Sequence, residues 1–158
     1  MSYFLKQNFL TWGERFAIYD ASARNRYFVD SDMFAFGKVL YLRSLGGNDL
    51  AEIRQKVWNL NPTYLISLPE KEPIKMVYNK KQGFQCKSLG LTANGDFAQG
   101  EYVIKDKDGK LLASVSKKWF TLGDAYGIEV ASGTDTALML SIVLAVEAWK
   151  DKRDKMRD

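Results

Sequence analysis

Basic residues that recur at regular spacing have the clearest capacity for chemistry in this chain. Arg54 and Lys56 alternate along the polar face of one predicted strand, and Lys117 lies in a second segment of the same kind. Near an anionic membrane each such cation contributes about 1 kcal/mol. The pattern predicts an anion-binding site for a phosphate-bearing headgroup or another polyanion. The candidate residues are Arg43, Arg54, Lys56, Lys105, Lys117 and Lys118.

Two interpretations of these charges stay open, and the same holds for the aromatic residues that follow them. The cations are also typical of a solvated sheet face whose charges prevent edge pairing. Trp58 and Phe120 each follow one of the charged stretches. They either cover an end of the fold or form a patch for a membrane interface or a protein partner.

Residue types that are absent from the chain exclude several classes of enzyme. There is no histidine and a single cysteine, Cys86, so histidine-activated nucleophiles and the usual zinc ligand sets are excluded. The turn at Asp106 has Lys117 where an EF-hand requires glutamate, and no phosphate-binding glycine loop is present. We expect no enzymatic activity, metal or cofactor, although a carboxylate pair drawn from distant positions stays open.

Charge and cysteine usage suggest the environment of the protein. The net charge is +4, and about half of it lies in the tail from Lys150 to Asp158. The remaining charge is too small to favour nucleic-acid binding. One cysteine suits a reducing compartment, and the first residues do not resemble a signal peptide. We expect a cytoplasmic protein that is peripheral at the membrane if it binds lipid.

An internal repeat indicates the architecture. Residues 40–66, shifted by 62 positions, align without a gap on residues 102–128. Identical residues coincide at this shift, including Leu50 with Leu112, Ala51 with Ala113, and Tyr64 with Tyr126. Two copies of one three-strand unit predict a pseudo-symmetric β architecture.

Short segments with alternating polarity run along most of the chain. They predict about a dozen antiparallel strands, because one face of each pair is apolar and the other polar. The predicted strands are Tyr3–Phe9, Arg15–Asp20, Arg26–Asp30, Lys38–Ser44, Leu50–Val57, Thr63–Leu68, Pro73–Tyr78, Phe84–Leu89, Gly100–Asp106, Lys110–Lys118 and Ala125–Ala131. Asn94-Gly95 is predicted to be a turn between two of them.

The C-terminal region predicts one helix that is apolar on nearly every side. It spans 135–149, with Thr134 or Asp135 as N-cap, and has one narrow stripe of small side chains that includes Ala145. The apolar run ends at Glu147, so it is shorter than the about 20 residues that a membrane span needs. Protein must enclose such a helix, and a closed barrel can do so. We predict one domain over 1–149, followed by a charged tail over 150–158 that extends the helix into solvent.

Four segments give the chain a resemblance to a known family. They are Phe34–Lys38, Ala51–Lys56, Ser116–Phe120 and Gly123–Glu129. With the apolar final helix, they resemble the LURP-one-related family of the tubby C-terminal-like superfamily, which also includes phospholipid scramblases. The resemblance implies a twelve-stranded barrel around a hydrophobic C-terminal helix. Tubby domains bind phosphoinositides, but no lipid-binding or calcium-binding residue of these relatives can be placed on this chain.

These observations favour a non-enzymatic binding module for an anionic ligand, such as a phospholipid headgroup at a membrane surface. The alternative is a protein-interaction scaffold of the LURP-one-related type that has no lipid or small-molecule ligand. A lipid site should weaken with added salt, whereas a protein surface centred on Trp58 should tolerate it.

Overall fold

The structure is a computed structural model that describes residues 1–6, 15–34, 37–117 and 125–157. Twelve antiparallel strands form a closed barrel around one C-terminal helix, as predicted. The strands are β1 (Ser2–Lys6), β2 (Phe16–Asp20), β3 (Asn25–Phe34), β4 (Gly37–Ser44), β5 (Asp49–Lys56), β6 (Thr63–Ser67), β7 (Ile74–Asn79), β8 (Gly83–Cys86), β9 (Leu91–Asp96), β10 (Glu101–Lys105), β11 (Leu111–Ser116) and β12 (Ala125–Val130). The helix α1 is Thr136–Arg157.

The period-two polarity pattern determines which side chains enter the barrel. Ile53, Ile66 and Ile74 pair across β5, β6 and β7, and all three are buried. The adjacent row, Arg54 and Lys75 on either side of Leu65, lies on the outer face. Successive side chains of a strand point to opposite faces, so the predicted alternation places apolar residues inside.

The two copies of the repeat have the same strand register. In the first copy Leu42 pairs with Ala51, and a bulge follows at Arg43. In the second copy Ile104 pairs with Ala113, and the bulge follows at Lys105. These positions differ by the 62 residues of the sequence shift, so the predicted pseudo-symmetry holds residue by residue.

The prediction of a turn at Asn94-Gly95 is wrong. Both residues lie within β9, and Gly95 pairs with Tyr102. A β-carbon at Gly95 would lie 2.5 Å from the carbonyl oxygen of Glu101 and its φ is +146°, so glycine is needed for close strand approach rather than for a turn. The turn comes after Asp96, whose Oδ1 accepts the Gln99 N–H at 3.1 Å.

Smaller differences concern strand ends. The strand predicted to continue to Leu89 ends at Cys86, where a 3-10 turn over Lys87–Leu89 begins. The predicted continuation of the first strand to Phe9 lies outside the described residues.

The final helix is enclosed by the barrel, as its polarity pattern predicts. Asp135 is the N-cap, because its Oδ1 accepts the Leu138 N–H at 3.1 Å. Every side chain from Leu138 to Trp149 is buried. The helix continues through the charged tail to Arg157, as expected for a helix extension. Among the described residues, no helix is long and apolar enough to cross a membrane.

Antiparallel order assigns each connection to one of two barrel ends. The helix begins beyond β12 and runs the length of the barrel. It therefore emerges at the barrel end that carries the β5–β6 and β7–β8 connections. We call this the helix-exit end. The β4–β5 and β10–β11 turns of the repeat lie at the opposite end.

We predict that Ala145→Leu destabilises the fold by about 1–3 kcal/mol. The Ala145 side chain is fully buried inside the barrel, so the larger leucine would overpack the core. Urea unfolding measures the change. Ala98→Leu adds the same atoms at an exposed position and serves as the control. Equal stability of the two variants would contradict a tightly enclosed helix.

Candidate anion-binding surface

A groove of about 200 Å³ lies at the helix-exit end, between the β5–β6 connection and the last turns of α1. We call it the rim groove. The described residues that line it include three cations, Lys56, Lys152 and Arg153, and no carboxylate. Leu60 and Met156 complete its outer margin. The groove therefore combines positive charge with apolar surface.

Both walls of the groove are held by the barrel. The Tyr78 N–H donates to the carbonyl oxygen of Pro62 at 2.9 Å, which ties the β5–β6 connection to β7. On the other wall, the Trp149 ring packs on Tyr78 with 4.6 Å between ring centroids. The Arg153 guanidinium lies 4.7 Å from the Trp149 centroid, over the ring. The cation is therefore positioned by a side chain that belongs to the core.

Three large apolar side chains stand in solvent beside these cations. Trp58 is 89% exposed, Leu60 is 100% exposed and Met156 is 78% exposed. Isolated exposed apolar residues are common on monomeric proteins, whereas contiguous exposed apolar surface is typical of interaction sites. Asp151, in the last turns of α1, is paired with Lys38 at 3.4 Å and with Lys155 at 3.2 Å.

The structure does not bring the six predicted cations together. Arg54 and Lys56 lie on β5, and Lys117 follows β11. In a ring of twelve strands, β5 and β11 are six strands apart, on opposite sides of the barrel. Pseudo-symmetry, which made these positions look related, is the reason for their separation. Lys56 lies in the rim groove, and Arg54 lies beside it on the outer face, paired with Glu52 at 2.8 Å.

The remaining predicted cations lie elsewhere or outside the described residues. Arg43 is near the far end of the barrel, where it pairs with Asp30 and Asp49. These hydrogen bonds raise the pKa of Arg43. The hydrogen bond from Arg15, together with that from Arg43, lowers the pKa of Asp30. Lys105 is exposed near the same end. Lys118 and Phe120 lie outside the described residues.

Lys117 belongs to a polar cluster around a buried glutamate. Its Nζ lies 5.1 Å from the ring centroid of Tyr126. The Lys150 Nζ donates to the Tyr126 hydroxyl at 3.1 Å and to Glu147 Oε1 at 3.4 Å. The Tyr102 hydroxyl donates to Glu147 Oε2 at 3.2 Å. Burial raises the pKa of Glu147, although Lys150 and both tyrosines oppose the change.

Comparison with known proteins agrees with this architecture. A family model described as LURP-one-related matches residues 1–147. The chain belongs to the LURP-one-related family. It is 30% identical over 147 residues to the uncharacterized protein YxjI of Bacillus subtilis strain 168, covering 91% of this chain and 90% of that protein.

A solved structure shares the fold of this LURP-one-related chain. The X-ray structure of a protein from Arabidopsis thaliana matches it with a TM-score of 0.65, over 94% of this chain and 90% of that one. The sequence identity is 12%, so the match shows the fold alone.

Sequence reasoning missed half of the rim groove of this LURP-one-related barrel. A solvated helix extension is the prediction for Lys152, Arg153 and Met156, whereas the structure places all three in the lining of the groove. Helical spacing could have predicted that these residues lie together, because positions three, four and seven residues after Trp149 share one face of a continued helix. Leu60 gave no signal of its own.

We predict that Glu147→Gln stabilises the protein, relative to wild type, more at pH 8 than at pH 5. A raised folded-state pKa means that the stability linked to protonated Glu147 is present at low pH and is lost as pH rises through that pKa. Glutamine cannot ionise and keeps an acceptor for Tyr102. Urea unfolding of variant and wild type at both pH values measures the difference. A difference that shrinks as pH rises would show that the pKa of Glu147 is lowered instead.

Proposed function

We propose that this LURP-one-related protein is a non-enzymatic binding module that attaches to anionic phospholipid surfaces through the rim groove. The supporting observation is that cations and exposed apolar side chains lie at the same end of the barrel. The cations are Lys56, Lys152 and Arg153, and the apolar side chains are Trp58 and Leu60. Cations attract phosphate and carboxylate headgroups, and an amphipathic tryptophan is suited to the headgroup level. The proposal gives the protein a cytoplasmic location with reversible attachment to the membrane.

The expected affinity is modest. Three cations contribute about 3 kcal/mol in total near an anionic surface. Partial burial of Trp58, Leu60 and Met156 adds to this, at about 1.5–3 kcal/mol for each large side chain that leaves water completely. Both contributions together give peripheral binding that salt can reverse.

A binding role suits the groups that line the groove. Its titratable side chains are three cations and Tyr64, whose pKa is raised well above its usual range by burial. A groove lined by cations is suited to binding an anionic ligand rather than to catalysing a reaction of that ligand. The proposal is therefore binding without turnover.

A second candidate function is a protein-interaction scaffold, and the exposure of Trp58 and Leu60 favours it. Exposed tryptophan is enriched at the centres of protein interfaces. Such an interface would depend on the two apolar side chains and would be insensitive to salt. This difference separates the two candidates.

We predict that Lys56→Glu/Lys152→Glu weakens binding to anionic vesicles at least about tenfold, since it reverses two charges at the groove. Co-sedimentation should compare vesicles of phosphatidylcholine with vesicles of equimolar phosphatidylcholine and phosphatidylserine, at low and physiological salt. Arg153 is left unchanged because it packs on Trp149.

The matched control is Lys105→Glu/Lys110→Glu, which makes the same change in charge on exposed residues around the β10–β11 turn at the far end. We expect this control to retain wild-type binding. Equal loss in both variants would mean that net charge, not the groove, governs attachment. If wild type bound neither vesicle, the lipid proposal would be wrong, and salt-tolerant capture dependent on Trp58 would favour the scaffold.

A further inference from the structure

We infer that the barrel docks in a tilted orientation, with the outer wall of β5, β6 and β7 and the β7–β8 turn facing the same bilayer as the rim groove. This inference rests on the proposed function and adds an orientation and three residues to it. The residues are Lys75, Lys80 and Lys81, which are exposed.

A row of side chains crosses the outer wall. Arg54 of β5, Leu65 of β6 and Lys75 of β7 are consecutive cross-strand partners. Neighbouring strands are about 4.8 Å apart, so the two cations flank a half-buried leucine at a separation of about 10 Å. Lys75 is exposed and pairs with no carboxylate among the described residues.

Two further lysines lie at the tip of the β7–β8 turn. The Asn79 Oδ1 accepts the backbone N–H of Lys81 at 2.8 Å and that of Gln82 at 3.3 Å, which fixes the turn. Lys80 and Lys81 are exposed on it. The turn is next to the β5–β6 connection at the helix-exit end, because β6 and β7 are neighbours.

The neighbouring sector of the same end, beyond β8, carries carboxylates. Asp96 and Glu101 flank the β9–β10 turn. The Glu101 Oε1 accepts hydrogen bonds from the Ser116 hydroxyl at 2.9 Å and the Lys117 N–H at 3.1 Å. A bilayer that carries negative charge would attract the β5–β8 sector and repel these carboxylates. An upright barrel would bring both sectors equally close to the surface, whereas a barrel tilted towards β6 holds the β9–β10 turn farther from the surface than the basic sector.

The spread of the cations favours an extended surface over a single small anion. Lys75 and Lys80 are five residues apart along β7 and its turn, a distance of about 16 Å along a strand. One headgroup cannot reach both of them and the rim groove. Exposed Trp58 and Leu60 favour a bilayer over a nucleic acid, because a bilayer offers an apolar layer beneath its charges.

The test is co-sedimentation of Lys75→Glu/Lys80→Glu with the equimolar phosphatidylserine vesicles. We expect binding at least about tenfold weaker than wild type. The control Lys105→Glu/Lys110→Glu should stay within about threefold of wild type, since each of its two reversals lies away from the surface. Thermal unfolding of all variants verifies that each is folded.

The outcomes separate this inference from the proposed function. If the groove variant Lys56→Glu/Lys152→Glu loses binding while the wall variant Lys75→Glu/Lys80→Glu keeps it, the tilted orientation is wrong and the proposed function stands. If wild type binds an oligonucleotide duplex but not the vesicles, both are wrong.

A second measurement does not depend on charge reversal. Cys86 is buried and its pKa is raised to about 12, so it does not compete for labels. An environment-sensitive fluorophore on Lys80→Cys should shift to shorter wavelength with anionic vesicles, and one on Lys105→Cys should not. Equal shifts at both positions would overturn the tilted orientation.

Discussion

Burial of α1 inside the barrel is the interaction on which the other elements depend. Side chains from Leu138 to Trp149 leave water on every side of the helix, which no open sheet could achieve. Twelve strands close around it, and each of them pairs with two neighbours. Because the helix starts beyond β12 and runs the length of the barrel, its charged end emerges at one barrel end only. The same constraint that builds the core therefore places Lys152 and Arg153 beside the β5–β6 connection.

Pseudo-symmetry of the backbone contrasts with asymmetry of the surface. The repeat preserves register and bulges, as at Arg43 and Lys105, because these determine how the strands close around the helix. The outer faces have no such requirement. Around the helix-exit end, Lys80 and Lys81 occupy one sector while Glu101 occupies another.

The fold could be predicted from the sequence because its signals are local and periodic. Alternation in β5, the repeated turns and the unbroken apolar pattern of α1 each predict one consistent architecture. Gly95 was misread because glycine permits both turns and close strand approach, and only the position of Glu101 in space separates the two. The rim groove was half missed for a related reason. Lys56 and Lys152 are far apart in sequence, and no periodicity reports that they share a groove.

The contact between Arg153 and Trp149 links the core to the candidate surface. Trp149 packs against Tyr78, Phe84 and Phe97, with ring centroids 4.6, 5.2 and 5.9 Å away. This aromatic cluster fills the barrel where the helix leaves it, so the ring cannot turn without disturbing three neighbours. A guanidinium stacked on such a ring loses less freedom on meeting an anion than a lysine on a flexible stem. The packing that encloses the helix therefore also positions Arg153 in the rim groove.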